Sequence, residues 1–152
     1  HISFAASESE AAAAAELGRR GLDPRPAGEA PPAARDVLLR ARAELDEYFA
    51  GRRQCFSTPV IPHGTPFQCR VWTELGRIPF GATASYLDLA RTVGRPTASR
   101  AVARANGQNP IAILIPCHRV IGKDGTLTGY GGGLWRKRLL LELERTGHWP
   151  GH

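Results

Sequence analysis

The stretch Pro116-Cys117-His118-Arg119 sets a thiol beside an imidazole and a guanidinium. Positive neighbours stabilise the thiolate, the form of cysteine that attacks carbon, so these residue types in this order fit a nucleophile. In an extended chain adjacent side chains point to opposite faces. His118 is therefore expected to reach Cys117 through a water molecule or a turn rather than by direct contact. A base of this kind works best when a third group orients it, and Glu144, in a leucine-rich segment near the C-terminus, is the candidate. The opposing account is a buried, inert cysteine next to a surface histidine. For an arbitrary Cys-His pair that is the commoner outcome, because cysteine is among the most often buried residues.

Two further patterns bear on chemistry. Cys55, His63 and Cys69 lie near one another in sequence, but structural zinc usually takes four ligands in paired short spacings, and no metal is expected. Gly129 to Gly133 is a glycine-rich loop with no Gly-Lys-Ser/Thr after it, which argues against a phosphate-cradling nucleotide site.

The elements that must position these residues follow from periodicity. Ile111 to Ile115 is a short, β-branched run between Asn109-Pro110 and Pro116; it reads as a buried strand that delivers Cys117 at its end. Upstream lie three apolar stripes at helical spacing: Phe67, Val71, Trp72 and Leu75; Tyr86, Leu89, Ala90 and Val93; Ala98, Ala101, Val102 and Ala105. Only Gly94, Arg95 and Pro96 separate the second from the third, with Thr97 as the expected N-cap, which is the layout of a helix-turn-helix. The third helix would read DNA, with Arg95, Arg100 and Arg104 projecting from it or its approach. Leu134 to Arg145 reads as a final helix carrying leucines at 134, 139, 140, 141 and 143.

Before this region, His1 to Ala5 reads as the end of a strand, and Ser7 with Glu10 as a capping box opening a helix to about Gly18. A Pro/Gly-rich linker, Gly21 to Pro32, precedes a helix with Val37, Ala41, Leu45, Tyr48 and Phe49 on one face and Gly51 at its C-terminal cap. Gln54 to Pro66 reads as extended. The expected organisation is a domain over 1–60, a linker at 61–66 and a second domain over 67–152.

Charge supports that division. Residues 1–66 carry 8 Lys+Arg against 9 Asp+Glu, and residues 67–152 carry 12 against 5, so net charge moves from −1 to +7. The basic half either binds a polyanion or serves solubility, and charge alone does not choose. Arg136, Lys137 and Arg138 pose the same choice between phosphate contact and solvation. No run approaches the roughly 18 apolar residues of a membrane span, and nothing resembles a secretory signal. Three irregularly spaced cysteines suit a reducing compartment, so a cytoplasmic protein with no membrane partner is expected. The 152-residue chain begins at His1 and contains no methionine, as a fragment of a longer product would.

The stretch Asn109-Pro110-Ile111-Ala112-Ile113-Leu114-Ile115-Pro116-Cys117-His118-Arg119-Val120 resembles the active-site signature of the O6-alkylguanine-DNA alkyltransferases of bacterial type. The resemblance runs from about 65 to 145 and includes Phe67-Gln68, Val71-Trp72, Ile78-Pro79, Ser85-Tyr86, Leu89-Ala90 and Leu127-Thr128-Gly129-Tyr130. It implies a truncated, RNase H-like α/β N-terminal part followed by a mainly α, winged-helix-like helix-turn-helix domain, possibly the C-terminal part of an Ada-like protein. It also implies irreversible, stoichiometric transfer of an alkyl group from O6 of guanine, and from O4 of thymine, to Cys117, by a monomer without a cofactor.

Roles follow by position. Cys117 would accept the alkyl group, His118 act as the water-mediated base, Glu144 orient it and Asn109 brace the active-site turn. Tyr86 would push out the target nucleotide and donate a proton to the leaving guanine; otherwise it is a core aromatic. Arg100 would fill the space left in the duplex, and Arg95, Arg104, Arg119, Thr97 and Ser99 would contact DNA. The carbonyls of Cys117 and Val120 would accept from the guanine amine and the amide of Gly131 would contact O6, with Tyr130, Gly132 and Leu127 completing the pocket. The partner implied is double-stranded DNA containing O6-alkylguanine. Three competing functions remain at this stage. A non-enzymatic lesion-binding relative would lack the acceptor cysteine, a helix-turn-helix regulator would form no covalent product, and a cysteine hydrolase would need an oxyanion hole that no motif supplies.

Overall fold

The computed structural model describes residues 31–149. The expected strand at His1 to Ala5, the helix from Ser7 to Gly18 and nearly all of the 21–32 linker lie outside the described residues, as does half of the expected RNase H-like part. Contacts divide the chain between Leu39 and Arg40. Residues 40–60 thus group with the part that carries Cys117.

Helix α1 spans Pro32–Phe49. Proline suits a first helical turn because its missing N–H would have no intrahelical acceptor there. The other end closes as the sequence leads one to expect. Gly51 takes φ +72°, its N–H donates to the Tyr48 carbonyl and the N–H of Arg52 to that of Glu47, both at 2.9 Å, which is a Schellman closure. A Cβ on Gly51 would lie 1.9 Å from the Gly147 carbonyl, so this glycine also permits the end of α1 to meet the end of the last helix. Val37, expected on the buried face, is exposed, as are Leu38 and Leu39; burial begins with Glu44 and Tyr48.

Helix α2, Pro66–Leu75, opens with a capping box between Thr65 and Gln68. It buries Val71, Trp72 and Leu75, and the Trp72 indole N–H donates to the Ala105 carbonyl at 2.9 Å. A two-residue strand β1, Ala84–Ser85, leads into α3, Tyr86–Thr92, through a second capping box between Ser85 and Asp88. Gly94 turns the chain at φ +74°, and α4 follows at Ser99–Gly107. Its N-cap is Ala98, without a side-chain hydrogen bond, not Thr97. The Ala98 N–H bonds back to the Arg95 carbonyl, so Thr97 stays in the turn, exposed. Ala101, expected on the inner stripe, is exposed as well, whereas Val102 and Ala105 are buried.

The expected strand over 111–115 is not formed. The segment is a tight turn holding a single bridge between Ala112 and Ile115, and Ile113 takes φ +75°. Prolines at both ends remove backbone donors, and the side chain of Asn109 replaces a neighbouring strand. Its Oδ1 accepts from the Ile111 N–H at 3.0 Å and its Nδ2 donates to the Ile115 carbonyl at 2.7 Å. After this turn come a 3-10 turn at Cys117–Arg119 and strand β2, Val120–Ile121, parallel to β1 with Ala84 opposite Val120.

Helix α5, Leu134–Thr146, ends at Gly147 with φ +74°. Its buried residues are Lys137, Leu140, Leu143 and Glu144; Leu134, counted among the apolar leucines, is 47% exposed. One apolar cluster joins α2, α3 and α4 to Ile115, Cys117 and Val120. A second joins Tyr48 to Leu140 and Leu143, with Phe49, Phe56, Phe80, Ile113 and Trp149 around it, and Tyr130 packs against both. Among the described residues no helix is long and apolar enough to cross a membrane.

Candidate active site

Cys117 begins the 3-10 turn and is buried at 5% exposure. Burial pushes its thiol pKa up, and four groups act against that: the Asn109 side chain, the N–H of Cys117 itself, the charge of Lys137 and the N–H of His118. Asn109 therefore does two things, bracing the preceding turn and bonding the sulfur. The strained backbone at Ile113 sits inside that bracket; a β-branched residue at positive φ costs about 1–3 kcal/mol and persists only where its surroundings hold it.

His118 is fully buried, with Nε2 2.7 Å from Glu144 Oε1. Its pKa is lowered chiefly by burial, against the pull of Glu144. Assigned from that partner, the neutral ring carries its proton on Nε2, and Nδ1 keeps its lone pair. Among the described residues Nδ1 has no hydrogen-bond partner, which leaves it available as a base.

Glu144 is the hub. Its carboxylate accepts from His118, from Arg119 Nε and Nη2 at 2.9 Å each, from the Tyr48 hydroxyl at 2.8 Å and from the Gly81 N–H at 3.1 Å. Burial alone would raise its pKa, but hydrogen bonds from His118 and Arg119 outweigh that and hold it at about 2. A carboxyl depressed on folding stabilises the fold above its unfolded pKa and loses that stabilisation as pH falls toward the folded value. His118, kept neutral by burial, acts in the same direction, since the unfolded chain takes up its proton first. Stability of the chain is thus expected to fall between pH 6.5 and 2, most steeply below pH 4.5. Urea unfolding midpoints measured across that range check this, and a flat profile would contradict it.

Several residues stand elsewhere than expected. Arg119, expected to contact DNA, is turned inward. It is 6% exposed, and its guanidinium is taken up by Glu144 and by the Ile78 carbonyl at 2.6 Å, with the Phe80 ring 5.9 Å away. Lys137 is neither a phosphate contact nor a solvated charge: it is fully buried and donates to the carbonyls of Val120 and Thr128. Burial pulls its pKa down to about 8, with the Cys117 charge opposing. The Val120 carbonyl, expected to face a guanine amine, is thereby engaged by Lys137, and the Cys117 carbonyl by the Val120 N–H and Asn106 Nδ2 at 3.4 Å. Leu127 lines an open hollow of about 670 Å³ with Leu134, Trp135 and Leu139 on the outer side of α5.

Tyr86 and Tyr130 pack against the cluster that holds Cys117. Tyr86 is half-buried, its hydroxyl donating to the Thr128 carbonyl at 3.0 Å. A Cβ on Gly129 would lie 2.9 Å from that hydroxyl, so glycine is what lets the loop close over Tyr86. Tyr130 is pushed up to about 12, first by burial and then by the charge of Cys117. Gly131 and Gly132 are exposed in the turn before α5. Arg100, Arg104 and Thr97 are exposed on or beside α4, Ser99 is half-buried, and Arg95 lies over the Phe67 ring at 5.8 Å.

Lys137 and Tyr48 escaped the sequence reading. Lys137 lies seven residues before Glu144, on the same helical face, and a cation at that spacing on a core stripe was the signal that could have found it. Tyr48 was placed on a buried face, but nothing in the sequence pairs its hydroxyl with a residue 96 positions away.

Residues 66–146 match the family model described as 6-O-methylguanine DNA methyltransferase, DNA binding domain. The chain is 56% identical over 103 residues to the methylated-DNA--protein-cysteine methyltransferase of Mycobacterium tuberculosis, covering 68% of this chain and 62% of that protein. It is 52% identical over 109 residues to the constitutive enzyme of that name from Bacillus subtilis, with 71% and 66% covered. The crystal structure of Mycobacterium tuberculosis OGT in complex with DNA superposes with a TM-score of 0.73 at 52% identity, over 74% of this chain and 70% of that one. The match thus spans under two thirds of the length of the first of these relatives. It takes in the helices and turns that gather Cys117, His118 and Glu144, and the chain belongs to the 6-O-methylguanine DNA methyltransferase family.

Proposed function

We propose that the chain repairs DNA by direct reversal, moving an alkyl group from O6 of guanine in a duplex to Cys117. The observation that carries this is a buried thiol at the head of a 3-10 turn, one residue from a buried His118–Glu144 pair 2.7 Å apart. His118 Nδ1 takes the thiol proton, through a water molecule, and Glu144 holds the imidazolium. The sulfur then attacks the alkyl carbon, a carbon–sulfur bond forms, the carbon–O6 bond breaks, and guanine leaves as its anion. Tyr86 supplies a proton to that anion. The thioether has no route to hydrolysis, so each molecule acts once. Lys137 favours the thiolate by its charge, a role its buried position beside Cys117 supports.

O6 cannot be reached inside paired DNA, so the nucleotide must leave the stack. Helices α3 and α4 serve as a winged-helix-like helix-turn-helix, with Arg100 and Arg104 on the exposed side of α4 and Arg95 in the turn before it. A relative at 52% identity solved in complex with DNA supports DNA as the partner. An RNase H-like part would precede it, and the protein acts as a monomer in the cytoplasm. O4-alkylthymine is a second substrate of the same site.

The test is incubation with duplex carrying O6-methylguanine. The expected product is protein heavier by one methyl group, in one-to-one yield; unchanged mass with intact lesion would overturn the proposal. Arg100→Ala should slow repair of duplex by about 10- to 100-fold, since the unstacked state loses its wedge. Transfer from the free alkylated base should stay near wild type. Equal losses on both substrates would remove Arg100 from the extrahelical role.

A further inference from the structure

We propose that Tyr48 is a positioning residue of the proton relay: its hydroxyl shares the Oε1 atom of Glu144 with His118 and so sets how strongly the imidazole takes a proton. This rests on the reading of Cys117 as an alkyl acceptor. Tyr48 lies outside the 66–146 segment that matches the family model, on α1, yet its hydroxyl is 2.8 Å from Glu144 Oε1, the oxygen that His118 Nε2 approaches at 2.7 Å. Arg119 Nη2 reaches the same oxygen at 2.9 Å, so three side chains compete for its charge. Withdrawing one leaves more of that charge to the others.

The surroundings make the pairing permanent. Tyr48 is fully buried, and its ring is held by Phe49, Phe56 and Phe80 with centroids 5.4, 5.5 and 6.1 Å away. Burial and the Glu144 charge push its ionisation up, so the hydroxyl stays a donor at any pH at which the chain folds. The other groups facing this carboxylate are accounted for. Arg119 contributes from the 3-10 turn and Gly81 N–H from the loop before β1, while Lys137 on α5 acts on His118, and Tyr130 on Tyr48, by charge alone. Glu44, the other buried acid of α1, is occupied by Ser57, Thr58 and Arg53.

Removing the hydroxyl while keeping the ring therefore makes His118 a stronger base. Because the relay needs His118 neutral, the acid limb of the rate profile moves to higher pH. The experiment measures methyl transfer from O6-methylguanine duplex to Tyr48→Phe across pH, together with the NMR titration of the His118 ring nitrogens. Both midpoints are expected to rise, on the order of one pH unit. Glu47→Ala, which takes the Arg53 ion pair from the same helix without touching the carboxylate or the rings around Tyr48, should leave both midpoints in place. Site-specific 3-fluorotyrosine at position 48, a stronger donor of nearly unchanged shape, should move them the opposite way and serves if Tyr48→Phe does not fold. Midpoints that superimpose on wild type overturn the proposal. If wild-type protein takes up no methyl group, the repair reading fails, and the His118 titration alone still decides whether Tyr48 sets its proton affinity.

Discussion

Cys117→Ser should give no methylated protein. Serine keeps the size of the side chain and the hydrogen bonds of the 3-10 turn, so the variant is expected to fold and to bind duplex. Its hydroxyl is a far weaker acid than a thiol, and neither the Asn109 bond nor the Lys137 charge can bring it to an alkoxide at neutral pH. The transfer rate should drop by about 10⁴-fold or more, read as the absence of any mass gain after prolonged incubation with O6-methylguanine duplex. A folded Cys117→Ser protein that still gains a methyl group would place the acceptor elsewhere.

The chemistry was legible where it rests on adjacent residues and periodic faces. Pro116-Cys117-His118 announces a nucleophile and a base, and the spacing of Val71, Trp72 and Leu75 announces α2. Glu144 was reachable as an orienting acid because α5 reads as a helix from its composition. What failed was information held in long-range pairing. Ile111 to Ile115 has the composition of a strand, but the bonds that decide its shape come from the Asn109 side chain rather than from a neighbouring strand. Nor does any propensity place Ile113 at positive φ. Arg119 and Lys137 read as surface cations because charge is usually solvated. Their acceptors are a carboxylate on another element and two loop carbonyls, which only the folded chain brings within reach.

Glu144→Ala carries the second large effect. Alanine strands the Arg119 guanidinium, the His118 Nε2–H, the Tyr48 hydroxyl and the Gly81 N–H in a buried space. Removing one partner of a buried ion pair costs about 3–5 kcal/mol, because the other charge is left uncompensated. For a chain of this size that corresponds to a fall in melting temperature of about 10 °C or more. Methyl transfer should be lost as well, since His118 loses both its orientation and the anion that stabilises its protonated form. Glu144→Gln, which keeps the shape and one acceptor oxygen, should melt above Glu144→Ala yet transfer poorly. Thermal melts and single-turnover rates on the pair separate the two contributions. An Ala variant as stable as wild type would contradict the hub role of this carboxylate.

The sulfur of Cys117, and neither of the two other thiols, is expected to receive the alkyl group. Cys55 is exposed and Cys69 half-buried, so both report any unspecific alkylation of thiols. Peptide mapping by mass spectrometry after reaction with duplex bearing O6-methylguanine tests this most directly. A single methyl group is expected on the peptide containing Cys117, with Cys55 and Cys69 unmodified. A methyl group on either of those, or none on Cys117 while the lesion disappears, would contradict it.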